Sequence, residues 1–166
     1  MLQSVALTLF PLLVVVCGLF DFFTLRIPNW LNGVTAVAFV LCALSVAMPL
    51  PVLGMHVLAG IILLIFGFAL FAGNFIGGGD AKMLAATGLW IGWTPIVPFL
   101  VFTAIAGGVL GVVMLILRST QRYLQFTGID SFAPFVSKKI DLPYGMAIAA
   151  GAVLVLPETW WFTGLN

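Results

Sequence analysis

The sequence predicts an all-α, polytopic membrane protein of about six transmembrane helices, and three observations carry that reading. Of 166 residues, 63% are hydrophobic and only 7% are charged, whereas a soluble domain keeps roughly 25% charged residues to wet its surface. The apolar residues gather in runs close to the roughly 20 residues that a spanning helix takes. Every lysine and arginine falls in alternate connections between those runs, the asymmetry that marks cytoplasmic loops. Residues 1–166 therefore read as one integral membrane domain with no room for a sizeable soluble one.

The elements follow in order. Span 1 is expected at about 5–20; Met1 to Ser4 lacks the basic region of a secretory signal, so the run reads as a permanent span. Span 2 covers about 30–48, with Ile27-Pro28-Asn29 setting its start, a position proline favours. Pro49 and Pro51 interrupt the chain. Span 3 covers about 52–72 and ends at Gly73-Asn74 and Gly77-Gly78-Gly79. Span 4, about 81–93, is closed by Thr94-Pro95 and is only about 20 Å long at 1.5 Å per residue. Span 5 covers about 96–117. A polar inner loop, 118–141, suits an interfacial amphipathic segment, and span 6 covers about 142–156.

Threading these spans with the N-terminus outside makes 21–29, 73–82 and 118–143 the inner connections. They hold Arg26, Lys82, Arg118, Arg122, Lys138 and Lys139, all the basic residues of the chain. If the short span 4 did not cross, four of those residues would be forced outside, against the positive-inside rule. Tryptophan agrees: Trp30 is expected at the inner interface, and Trp90, Trp93, Trp160 and Trp161 at the outer one. The net charge of +1 argues against a nucleic-acid partner; the expected surroundings are the lipid bilayer.

Few residues are available for chemistry. Asp21, Asp80, Asp130 and Asp141 fall at the inner face, and Glu158 at the outer. His56, the single histidine, lies near the outer end of span 3, so a Ser-His-Asp or Cys-His site would have to reach across the bilayer. The chain lacks the His and acid cluster of a zinc hydrolase, and Cys17 and Cys42 read as small buried hydrophobes. What remains is a pair of carboxylates, Asp21 after span 1 and Asp80 at the start of span 4. Acids at the edge of the hydrocarbon are costly. Two close carboxyls share a proton, one activating water while the other protonates a carbonyl, with no metal or cofactor. Gly77, Gly78 and Gly79 would let a peptide backbone approach and would permit positive φ before the helix. The plainer alternative is a turn with Asp80 as a helix cap.

Three stretches carry a family resemblance: Asp21 with Arg26-Ile27-Pro28-Asn29, then Gly77-Gly78-Gly79-Asp80-Ala81-Lys82, then Leu142-Pro143-Tyr144-Gly145-Met146-Ala147. In this order and with this span count the chain resembles the type IV prepilin peptidases, in the short form associated with tight-adherence (Flp-type) pilus systems. The resemblance implies a GxGD aspartyl protease of the bacterial inner membrane. Such enzymes remove a basic leader at the cytoplasmic face, typically after a glycine and just before the hydrophobic pilin helix. Asp21 and Asp80 match the two catalytic aspartates, and Gly77 and Gly79 the motif glycines. The long members carry CxxC pairs and many N-methylate the new terminus; this chain has no CxxC, so peptidase activity alone is expected. Presenilin-type proteases also use GxGD, but they pair it with Tyr-Asp and Pro-Ala-Leu, where this chain has Phe20-Asp21 and Pro143-Tyr144-Gly145.

The supporting residues keep two readings each. Lys82 either acts on the dyad or substrate or snorkels to headgroups; Pro28 and Asn29 either shape the site or only start span 2. Tyr144 either lines the site or is an interfacial tyrosine, and Gly107 with Gly111 reads as a helix-packing pair. Asp130 and Asp141 are expected to be solvated. Two rivals stand beside the protease: a small ion- or proton-coupled carrier and a non-catalytic pilus-assembly protein. The carrier calls for acids nearer mid-membrane and a polar path to the outer face.

Overall fold

The computed structural model describes residues 2–126 and 142–164. Among these residues the chain is helical throughout, with no strand: α1 (Leu2–Thr24), α2 (Asn29–Ser45), α3 (Leu50–Ala72), α4 (Gly78–Ile91), α5 (Ile96–Phe126), α6 (Tyr144–Val155), a 3-10 turn at Leu156–Glu158, and α7 (Trp160–Thr163). Four stretches are long and apolar enough to cross a membrane: Ser4–Thr24, Leu50–Ala72, Ile96–Leu117 and Tyr144–Thr163. Two helices are shorter, α2 with 17 residues and α4 with 14. The surface is studded with exposed Leu, Ile, Val and Phe. This is an all-α polytopic membrane protein.

Helix ends depart from the hydropathy boundaries for identifiable reasons. Asp21 does not follow α1 but lies inside its last turns, since the helix runs on to Thr24. α2 stops at Ser45, short of 48, where Ala47 takes φ 48° and Met48 N–H donates to the Ala43 carbonyl at 2.9 Å. That pairing satisfies a terminal carbonyl in the manner of a Schellman cap. α3 ends the same way: Asn74 has φ 60°, and Phe75 N–H donates to the Leu70 carbonyl at 2.9 Å. Pro51 lies in the first turn of α3, where its missing N–H costs nothing. α4 starts at Gly78, so Gly78 and Gly79 belong to the helix and not to a turn before it. α5 continues through 118–126, the first part of the predicted loop. Arginine, glutamine and leucine in that stretch are good helix formers and give the helix no reason to stop. Residues 127–141, with Asp130, Lys138, Lys139 and Asp141, lie outside the described residues.

α3 and α4 form a tight antiparallel hairpin. Small residues make it possible: a Cβ on Gly67 would come 3.0 Å from the Ala81 Cα, and one on Gly88 would come 3.1 Å from the Ala59 carbonyl oxygen. Helices lacking side chains at the seam approach closely and gain packing. Gly67 faces Ala81, Gly60 faces Gly88 and His56 faces Gly92. This register sets the start of α4 only about 3 Å below the end of α3, but the end of α4 about 10 Å inside the start of α3, at 1.5 Å per residue. The short helix therefore falls short at its C-terminal end.

That end is closed by aromatic side chains. The last carbonyls of a helix lack intrahelical partners; here the Leu89 carbonyl meets His56 Nδ1 at 2.7 Å, and the Trp90 carbonyl accepts the Trp161 indole N–H at 2.8 Å. Trp90 donates to the Thr35 carbonyl at 2.8 Å and stacks on Phe10, ring centroids 5.1 Å apart. Phe39 stacks on His56. Trp90 and Trp161 are thus fully buried, against the interfacial placement expected of them, because the short end of α4 needs donors and volume more than the membrane surface needs indoles. Trp30 and Trp93 are exposed, as interfacial residues should be. Cys17 and Cys42 are free and buried.

Candidate active site

The opposite end of the molecule gathers Asp21 and Asp80. On α1 the buried residues Ala6, Phe10, Val14, Cys17 and Asp21 recur at intervals of three or four, which is one helical stripe. Asp21 is its last member, so the packing that buries Phe10 and Val14 also turns this carboxyl inward. Asp80 is the third residue of α4. The two are 4% and 6% exposed, buried carboxyls in a chain with few charges of any kind.

α6 packs against both α1 and α4 and brings its first turn between the acids. The Gly145 amide donates to Asp21 Oδ2 at 2.7 Å. The same amide faces the Asp80 carboxyl, which lies close enough to Asp21 for the two to interact electrostatically. Asp80 Oδ2 accepts the Gly77 N–H at 3.0 Å, while Asp80 Oδ1 is buried with no partner among the described residues. Asp80 is therefore a helix-capping acid, as the plainer reading held, and at the same time a neighbour of Asp21 with one oxygen uncommitted.

The glycines act through close approach and not through backbone freedom. Gly77 has φ −73°, and Gly92 is the one glycine with positive φ among the described residues, so the positive φ expected before α4 is absent. A Cβ on Gly77 would sit 3.1 Å from Asp80 Oδ2, and one on Gly79 would sit 3.2 Å from the Ile27 carbonyl oxygen. A Cβ on Gly145 would meet Asp21 Cβ at 2.8 Å and Ile27 Cδ1 at 3.0 Å. Ile27, buried between Gly79 and Gly145, is the wedge that spaces α4 from α6. A Cβ on Gly78 would lie 3.4 Å from the Phe71 ring, an ordinary contact.

The flanking residues separate into groups. Lys82 Nζ donates to Asn29 Oδ1 at 2.8 Å, tying α4 to the start of α2 beside the acids, and Pro28 precedes the first residue of α2. Tyr144, next to Gly145, lines an apolar cleft of about 680 Å³ beside the acids. His56 belongs to the aromatic end and joins nothing here. Ile27, read from the sequence with Pro28 and Asn29 as the start of span 2, contributes to the site, and so do two residues given no role there, Gly145 and Asn32. Asn32 is 6% exposed, and its Nδ2 donates to the Gly79 carbonyl at 3.1 Å, holding the peptide that leads into Asp80. A polar side chain in the apolar span 2 was the signal for it. Among the described residues no group of three His, Cys, Asp or Glu is placed to hold a metal ion.

Compared with known protein families, residues 8–112 match the type IV leader peptidase family. The matched stretch contains Asp21, Pro28, Asn29, Gly77, Gly78, Gly79, Asp80 and Lys82 and ends before α6. No curated protein and no solved structure matches the chain.

Proposed function

We infer that this chain, which belongs to the type IV leader peptidase family, is a membrane aspartyl endopeptidase that removes the leader from Flp-type prepilins or pseudopilins at the cytoplasmic face of the bacterial inner membrane. The observation that carries the reading is the Gly145 amide presented to two buried carboxyls from two different helices. A single backbone donor between them supports a pair that holds one proton in common.

The chemistry follows from that pair. The uncommitted Oδ1 of Asp80 is the acceptor for a water molecule. As the water oxygen attacks the scissile carbonyl, its proton passes to the ionised carboxyl, and the protonated carboxyl gives its proton to the carbonyl oxygen. Collapse of the resulting diol returns a proton to the leaving nitrogen, breaks the C–N bond and restores the shared proton. Asp21 and Asp80 are the catalytic residues in this account. Gly77, Gly79 and Gly145 hold them by backbone donors and close contact. Lys82 with Asn29 and Pro28 shapes the rim where a basic leader would arrive. The reaction proposed is peptide cleavage alone, without N-methylation.

The carrier reading is weaker, since the end of α4 away from the acids is packed with Phe10, Phe39, Trp90 and Trp161, and His56 there is hydrogen-bonded to the Leu89 carbonyl. The test is co-expression with a small Flp-type prepilin, with pilin mass as the readout. Wild type should shorten the pilin by its leader. Asp21→Asn and Asp80→Asn should each slow cleavage by about 10²–10⁴-fold, the contribution typical of a positioned acid or base, while still inserting in the membrane. Full processing by both single variants would remove the dyad and favour a scaffold.

A further inference from the structure

We propose that the apolar cleft beside the acids, walled by α3, α4, α5 and α6, is the berth for the transmembrane helix of the substrate, which enters sideways from the lipid. The proposal rests on the leader-peptidase reading above and adds the surface that holds the partner.

The cleft exists because α5 packs against α6 and stands off from α3 and α4, leaving about 680 Å³ open. It begins at the site. Tyr144 precedes the glycine that bonds Asp21, Ile76 precedes the glycine that bonds Asp80, and Leu84 lies one turn beyond Asp80; all three line it. From Gly111 it runs along α5 to Leu100, a rise of about 16 Å at 1.5 Å per residue. A helix about 10 Å across displaces on the order of 1,300 Å³ over that length, so the cleft accepts about half of its cross-section and leaves the other half to lipid. Among the described residues no charged side chain lines the cleft.

The wall contributed by α5 says what kind of occupant fits. Gly107, Gly108 and Gly111 all face the cleft. In the α3–α4 hairpin such glycines are used up by contact, with a Cβ on Gly67 or Gly88 meeting backbone at about 3 Å. On α5 they are not. A Cβ on Gly108 would meet nothing within 4 Å, one on Gly107 would meet only the Ala147 Cβ at 3.6 Å, and one on Gly111 only Leu142 Cδ1 at 3.9 Å. Small residues let a second helix backbone come close, whereas an acyl chain gains nothing from them. A peptide whose scissile bond lies at the acids and whose apolar helix starts just after it would lay its first three turns along this wall.

The experiment places a photo-crosslinking residue at position 108, or at position 109 on the outward face of α5, in the Asp80→Asn background, with a small Flp-type prepilin co-expressed. Val109 is 59% exposed and outside the cleft. Position 108 should crosslink to the prepilin helix and position 109 should not. In the catalytically intact chain Gly108→Leu should reduce prepilin cleavage by about tenfold or more, while Val109→Leu leaves it unchanged at equal membrane abundance. Crosslinks at position 108 to lipid alone, crosslinks to a second copy of the chain, or equal pilin crosslinking at both positions would overturn the berth. If wild type cuts the pilin but position 108 stays silent and Gly108→Leu cuts normally, only the cleft falls. If position 108 crosslinks the prepilin but wild type never cuts it, the peptidase reading falls and the berth stands.

Discussion

Gly145 does two things that no other residue type could do together. Its N–H bonds Asp21 and faces Asp80, and its missing side chain makes room for Asp21, whose Cβ would lie only 2.8 Å from a Cβ at position 145. A methyl group there must displace either Asp21, fixed on the buried stripe of α1, or Ile27, wedged against Gly79. Overpacking of this kind costs about 1–3 kcal/mol, and each 1.36 kcal/mol lost from the reacting geometry is a factor of about ten in rate. Gly145→Ala should therefore slow prepilin cleavage by about tenfold or more while the protein still accumulates in the membrane, measured by pilin mass over time beside immunoblotted abundance. Unchanged cleavage would mean that the amide is incidental to the acids. The residue lies in the Pro143-Tyr144-Gly145 stretch, where the hydroxyl of Tyr144 suggests chemistry while a backbone amide leaves no mark in a sequence.

At the scale of elements, the α3–α4 hairpin carries the most demanding contact. Gly67→Val would press a branched side chain onto the Ala81 backbone, one residue from Asp80, where even a Cβ comes within 3.0 Å. The expected cost is about 1–3 kcal/mol, read as a lower thermal unfolding temperature in detergent than wild type; an equal temperature would show that the hairpin is looser than described. Hydropathy placed a helix at each expected span, four of them long and apolar enough to cross a membrane, because lipid demands long apolar runs whatever the packing. It misjudged their ends, which depend on local closures such as the positive φ of Ala47 and Asn74. It also stopped span 5 at 117, since polarity marks where lipid ends and not where a helix ends. Asp21 and Asp80 were legible as rare acids flanking apolar runs. Asn32 was not, for its role appears only when α2 is laid against Gly79, and Ile27, named with Pro28 and Asn29, shows its contacts with Gly79 and Gly145 only in the fold.

For the molecule as a whole, the acids mark one end and the aromatic side chains the other, and Arg26 and Lys82 lie with the acids. By the positive-inside rule, the proposed orientation has the acid end in the cytoplasm. Alkaline phosphatase fused after residue 94 should be active and fused after residue 75 inactive, with a fluorescent protein giving the reverse; the opposite pattern would invert the proposed orientation. The closure at the far end of α4 has a consequence for the cell that houses the protein. Two titratable groups buried in an energised membrane are half of a proton wire, and the other half would have to pass Phe10, Phe39, Trp90 and Trp161. Both indole N–H groups there are committed to backbone carbonyls, of Thr35 and Trp90. With that end packed by aromatic side chains, the proposed dyad is expected to exchange protons from the acid side, so that each turnover would draw on water there and leave the transmembrane proton gradient intact.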